Sequence, residues 1–100
     1  MNADKARIVS IRNEIESIKR FILMNKRTVE AKKSDIRKVN ERFKDQIARA
    51  DRTDKASLRE KKRREVDHLK KEIESQKKQI DDKKDQIIRK REEIQRLRNK

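Results

Sequence analysis

The chain of 100 residues contains no cysteine, glycine, proline, tryptophan or tyrosine. Without cysteine there is neither a disulfide nor a thiolate metal site, although nothing follows about redox compartment. Without glycine or proline the usual suppliers of tight turns, bulges and firm helix stops are missing, and a glycine-rich phosphate loop is impossible. Two phenylalanines and 30% apolar residues are too little to surround a globular core, and they leave single-stranded bases little to stack on. The longest unbroken apolar run is Phe21, Ile22, Leu23, Met24, far short of the roughly 20 residues of a membrane span. Residues 1–17 hold no apolar run of signal-peptide length. A soluble, cytoplasmic protein is the expectation, with signal-independent export left open.

What is present is charge, 52% of the residues, carried by the Lys, Arg, Glu and Asp that accompany Gln and Ile in long helices and coiled coils. High charge with low hydrophobicity also describes disordered chains, but the apolar residues here recur too regularly. Ile8, Ile15, Ile22, Val29, Ile36, Phe43 and Ala50 follow one another at sevens, with Ile11, Ile18, Asn25, Lys32, Val39 and Gln46 three residues on. These are the a and d positions of a heptad stripe. Val66, Ile73, Ile80, Ile87 and Ile94 form a second a series, with Leu69, Gln76, Lys83, Lys90 and Leu97 at d. The second frame sits two residues later than the first, so one continuous helix would carry its stripes roughly 200° apart.

A chain reversal removes that conflict. Residues 50–57, ADRTDKAS, supply turn and cap formers, and Ser57 with Glu60 reads as a capping box. The expected fold is all-α: an antiparallel two-helix coiled-coil hairpin with helix 1 over about 3–50, a turn over about 51–56 and helix 2 over about 57–98. It forms a single domain that can pair with a second copy as a four-helix bundle; a parallel assembly of bent long helices is the alternative. Folding about residues 52 and 53 pairs a with d positions whose numbers sum to 105. Ile8/Leu97, Ile11/Ile94, Ile18/Ile87, Ile36/Leu69 and Val39/Val66 become wholly apolar layers. Ile15/Lys90, Ile22/Lys83, Asn25/Ile80, Val29/Gln76, Lys32/Ile73 and Phe43/Lys62 are mixed, and the run from 22/83 to 32/73 predicts a loosely held middle.

No motif for catalysis or for a cofactor is found. His68, the single histidine, falls at c, away from the seam, with no second His or Cys to complete a metal site. Adjacent acids such as Asp81 and Asp82 point in different directions on a helix and have no pocket to perturb them. The expectation is a protein that is not an enzyme.

The surplus charge is +14. Many acids have a base four residues on, as in Glu16/Arg20, Asp45/Arg49, Glu60/Arg64, Asp67/Lys71, Glu74/Lys78, Asp85/Arg89 and Glu92/Arg96. The surplus concentrates around the turn, giving a basic tip suited to phosphate backbones, with Arg42, Lys44, Arg49, Arg52, Arg59, Lys61, Lys62, Arg63 and Arg64 as the candidate polyanion-binding set. An acidic protein would satisfy the same charges, and a solvated face is the bland alternative. Phe21, Leu23 and Met24, with Val9 and Ile88, are the candidate surface for self-association or partner helices.

Two classes of function therefore stand side by side. One is a self-associating hairpin that binds nucleic-acid backbone through its tip, similar in architecture to small RNA-binding hairpins that dimerise into four-helix bundles. The other is an adaptor, scaffold or secretion partner that docks helices along its flank. In length and two-helix plan the chain resembles the hairpin proteins of type VII secretion, without the Trp-x-Gly turn of their best-known members.

Overall fold

A computed structural model describes residues 3–100. It contains two α-helices of 47 residues each, α1 (Ala3–Arg49) and α2 (Arg52–Arg98), packed against each other as an all-α helical hairpin. Two compact units make it up: residues up to Lys26 with Lys77–Lys100, hereafter the first unit, and Arg27–Gln76, the second.

The reversal is shorter than expected, and its cap lies elsewhere. The Ala50 N–H reaches back to the Ile47 carbonyl at 3.3 Å, and α2 begins at Arg52. Asp51 is the N-cap: its Oδ1 accepts from the Asp54 N–H at 3.0 Å, and its carbonyl accepts from the Lys55 N–H at 2.9 Å. The expected turn over 51–56 and helix start at 57 are thus corrected. Asp51 meets the first unpaired amide donors of α2, and Asp54 in the first turn suits the helix dipole. No donor remains for Ser57 to cap, and Glu60 instead accepts from Arg63 at 2.7 Å and Arg64 at 3.4 Å. No positive φ occurs among the described residues, so the reversal needs no glycine.

In the first unit the buried seam consists of Ile11, Ile15 and Ile22 from α1 and Ile80, Ile87 and Ile94 from α2, together with one buried polar residue, Asn25. In the second unit Val29, Phe43 and Ile73 are buried, with Ile36, Val39, Val66 and Leu69 half-buried. The burial pattern of α1 mirrors that of α2 in pairs whose numbers sum to 105, from Ile8 and Leu97 inward. Glu14 with Lys90, Asn25 with Gln79 and Lys32 with Glu72 lie one step from that register. One seam position differs from expectation. Gln46 is exposed, and Ile47 takes its place opposite Leu58, both half-buried. Two successive steps of four (39, 43, 47 and 58, 62, 66) occur at mirrored positions, correcting the drift between the 3.6-residue turn and a strict heptad while bringing an Ile/Leu pair into the seam.

The mixed layers are well closed. Ile15, Ile22, Asn25, Val29, Phe43, Ile73 and Ile80 come from them, whereas only Ile11, Ile87 and Ile94 of the buried residues come from wholly apolar layers. The expectation of a weak middle undervalued the lysine stem, whose methylenes cover the facing isoleucine while the ammonium swings outward. Lys90 Nζ lies 2.7 Å from Glu14 and Lys83 Nζ donates to Asn25 Oδ1 at 2.7 Å. Each fully buried isoleucine contributes about 1.5–3 kcal/mol.

Two substitutions separate these readings by chemical denaturation. Ile80→Ala, in a mixed layer, is expected to destabilise by about 2–5 kcal/mol; a loss below about 1 kcal/mol would mean that the mixed layers are loose. Asp51→Ala is expected to lose about 1 kcal/mol, while Ser57→Ala stays within about 0.5 kcal/mol.

Candidate functional site

The nine tip residues lie in the second unit and divide by what they touch. Arg42 is paired with Glu65, and its guanidinium lies 4.9 Å from the centroid of the Phe43 ring. Arg63 and Arg64 both reach Glu60. Lys62 is half-buried in the seam opposite Phe43, and it shares a shallow groove with Lys44 and Ile47. Lys44, Arg49, Arg52, Arg59 and Lys61 are exposed and have no ion-pair partner among the described residues. Exposed pairs contribute at most about 1 kcal/mol, so Arg42, Arg63 and Arg64 remain able to exchange their carboxylates for another anion.

The two flanks of the seam differ sharply, and the contrast is not apparent from charge counted along the chain. Antiparallel pairing sets g positions against g and e against e. In the first unit the g flank is neutralised: Arg7 donates to Glu93 at 3.1 Å, Lys90 reaches Glu14, and Asn25 donates to Gln79 at 3.2 Å. In the second unit the same flank carries the Lys32/Glu72 and Arg42/Glu65 pairs. The e flank of the first unit is wholly basic: Lys5, Arg12, Lys19 and Lys26 on α1, Lys77, Lys84, Arg91 and Arg98 on α2, all exposed. Arg12, Lys19, Arg91 and Arg98 line one groove whose floor is Ile15 and Ile94. Among the described residues Lys19 alone of these four has a carboxylate, Glu16 at 3.3 Å. The signal is in the sequence, at every e position of the two frames within the first unit.

The five apolar candidates are all exposed, Val9 at 48%, Phe21 at 54%, Leu23 at 49%, Met24 at 59% and Ile88 at 51%, but they do not make one surface. Successive residues turn by about 100° on a helix, so Phe21 and Met24 face the g side, and Lys83 Nζ lies 5.3 Å from the Phe21 ring centroid. Val9, Leu23 and Ile88 occupy b positions on the e side, where Val9 shares a groove with Lys5, Arg12 and Arg98. The stretch from Phe21 to Met24 is therefore divided among the seam and two opposite flanks.

Of the seven expected pairs at four-residue spacing, Glu60/Arg64 forms, and Glu16 turns to Lys19 instead. Such contacts are worth only a few tenths of a kcal/mol, too little to hold long exposed side chains in one rotamer. His68 is exposed and donates to Glu72 at 2.7 Å. Among the described residues no three His, Asp or Glu side chains converge as a metal site, and no helix is long and apolar enough to cross a membrane.

Hydrogen bonding across and along the helices shifts several titrations. The Lys90 hydrogen bond lowers the Glu14 carboxyl, with slight burial opposing and the charges of Lys90 and Arg7 assisting. Glu72 is lowered chiefly by the hydrogen bond from Lys32, whose own value rises for the same reason, and Glu60 is lowered chiefly by Arg63. A depressed carboxylate stabilises the fold above its ordinary pKa, and that contribution is lost as pH falls through the depressed value. The raised lysine contributes throughout neutral pH and loses its contribution only in strong alkali.

Comparison with protein-family models, with curated proteins and with solved structures found no match.

The melting temperature is expected to be level near neutrality and to fall once pH drops below the ordinary glutamate value of 4.5. Glu72→Gln should lower it at pH 7 and make the acid-side fall shallower. A profile unchanged by that substitution would contradict the assigned pairing.

Proposed function

We propose that the protein is a non-enzymatic helical-hairpin module that binds the phosphate backbone of nucleic acid through its basic tip. The observation that carries this reading is the group Lys44, Arg49, Arg52, Arg59 and Lys61, exposed and without carboxylate partners among the described residues. Around them, residues 37–64 hold twelve bases against five acids. Such a surface attracts a polyanion by releasing its condensed counterions, and it reads backbone in preference to sequence. With two phenylalanines, one buried in the seam, stacking on bases has little part in it. Self-association belongs to the same reading and draws on Phe21 and Met24, exposed on the g side.

The test is binding of duplex DNA and duplex RNA as a function of salt. Affinity is expected to fall steeply as salt rises. Replacing Arg49, Arg52, Arg59 and Lys61 with Gln should weaken binding more than tenfold at low salt and flatten the logarithmic salt slope by about 3–4 units, with helicity retained by circular dichroism. Undiminished binding by that variant, or no binding by the native chain at low salt, would overturn the proposal.

A further inference from the structure

We propose that the basic e flank of the first unit docks an acidic amphipathic helix of a protein partner. This site is separate from the tip, and its argument does not depend on the nucleic-acid reading.

The first observation is the placement of charge. Bases that served only solubility would sit on the outward b, c and f positions, where they oppose nothing. Over residues 6–24 of α1 those positions read Ala6, Val9, Ser10, Asn13, Glu16, Ser17, Arg20, Leu23 and Met24, with one acid and one base. On α1 the cations occupy e instead. On α2 the outward positions carry both signs, Lys78, Arg89 and Arg96 with Asp81, Asp82, Asp85 and Glu92, while e is again wholly basic. Two rows of like charge therefore border the same seam and repel each other. Arg12, Lys26, Lys77, Lys84, Arg91 and Arg98 have no ion-pair partner among the described residues. Neutralisation of these six cations is left to something outside the chain.

The second observation chooses the chemistry. Val9, Leu23 and Ile88, each about half exposed, lie next outward from the cations on the same side. Phosphate backbone has no use for aliphatic side chains; an amphipathic helix has both charges and apolar side chains to offer. The spacing agrees. Each row repeats every seven residues, about 10.5 Å along the axis, the repeat of a partner helix with Asp or Glu at a fixed heptad position. A duplex backbone winds away from so straight a row. Seated over Ile15 and Ile94, such a helix would complete a three-helix bundle, its acids against Arg12, Lys19, Lys84 and Arg91 and its apolar edge against Leu23 and Ile88.

The probe is a labelled synthetic helical peptide of four heptads, with Leu at a and d and Glu at e and g, titrated by fluorescence anisotropy into the full chain. Replacing Lys19, Lys26, Lys84 and Arg91 with Gln is expected to weaken peptide binding more than tenfold. The same variant should melt higher than the native chain at low salt, because like-charge repulsion across the seam is relieved. Leu23→Ser with Ile88→Ser should weaken binding severalfold, and the tip variant should bind the peptide as the native chain does. The proposal fails if the flank variant keeps its peptide affinity or melts lower. It also fails if duplex nucleic acid displaces the peptide and itself loses affinity in the flank variant, which would make the flank a phosphate surface. A dimer of the native chain that the flank variant dissolves would likewise overturn it in favour of a second copy.

Discussion

The structure depends on one recurrent contact, a long polar side chain laid across a buried aliphatic one at the seam. Lys90 opposite Ile15, Lys83 opposite Ile22, Gln76 opposite Val29 and Lys32 opposite Ile73 let a chain with 30% apolar residues keep a closed interface. The stems supply the cover, and the heads must then find water or a partner. The three lysines find theirs at the g side of the seam: Lys90 at Glu14, Lys83 at Asn25, Lys32 at Glu72. Asn25 is buried among isoleucines, yet it accepts from Lys83 and donates to Gln79, and such a pairing favours one register over a slipped one.

The charge asymmetry follows from that contact. Carboxylates at g are engaged by lysines arriving from the seam and by Arg7 and Arg42, whereas no e position in the first unit holds an acid. The cations left on that flank are held in fixed rows by the helices beneath them. The tip cations in the second unit have a different origin, a local excess of bases around the reversal. The protein thus offers two basic surfaces of different character, one bordered by exposed aliphatic side chains and one with bases in excess over interspersed acids. The acidic helix and the phosphate backbone proposed as their ligands follow that difference.

Much of the fold was legible in the residues. The two heptad frames, their offset and the pairing of Ile8 with Leu97 required only counting, because a seam imposes its period on sequence. The position of the cap was not legible, since Asp51, Thr53, Asp54 and Ser57 are all competent caps and only the backbone decides which amides are left unpaired. Ile47 in place of Gln46 was hidden because a strict heptad was extended one step past the point where helical drift demands a four. For the candidate sites, the tip bases and the five exposed aliphatic or aromatic residues could be picked out by composition alone. Their grouping could not: Leu23 and Met24 are neighbours in sequence, yet the turn of about 100° between them directs one to the e flank of the seam and the other to the g flank. The basic flank does not show in charge summed over segments, because a helix presents charge by face.

An antiparallel register within one chain sets e against e and g against g. The chain has no native cysteine, so introduced pairs report without background. In Ile18→Cys with Ile87→Cys, oxidation should give an intramolecular disulfide in high yield, seen as faster migration on non-reducing gels, while Ile18→Cys with Ile94→Cys should give none. Cross-links forming only between chains, or forming equally in both variants, would contradict the register and the flank assignments built on it.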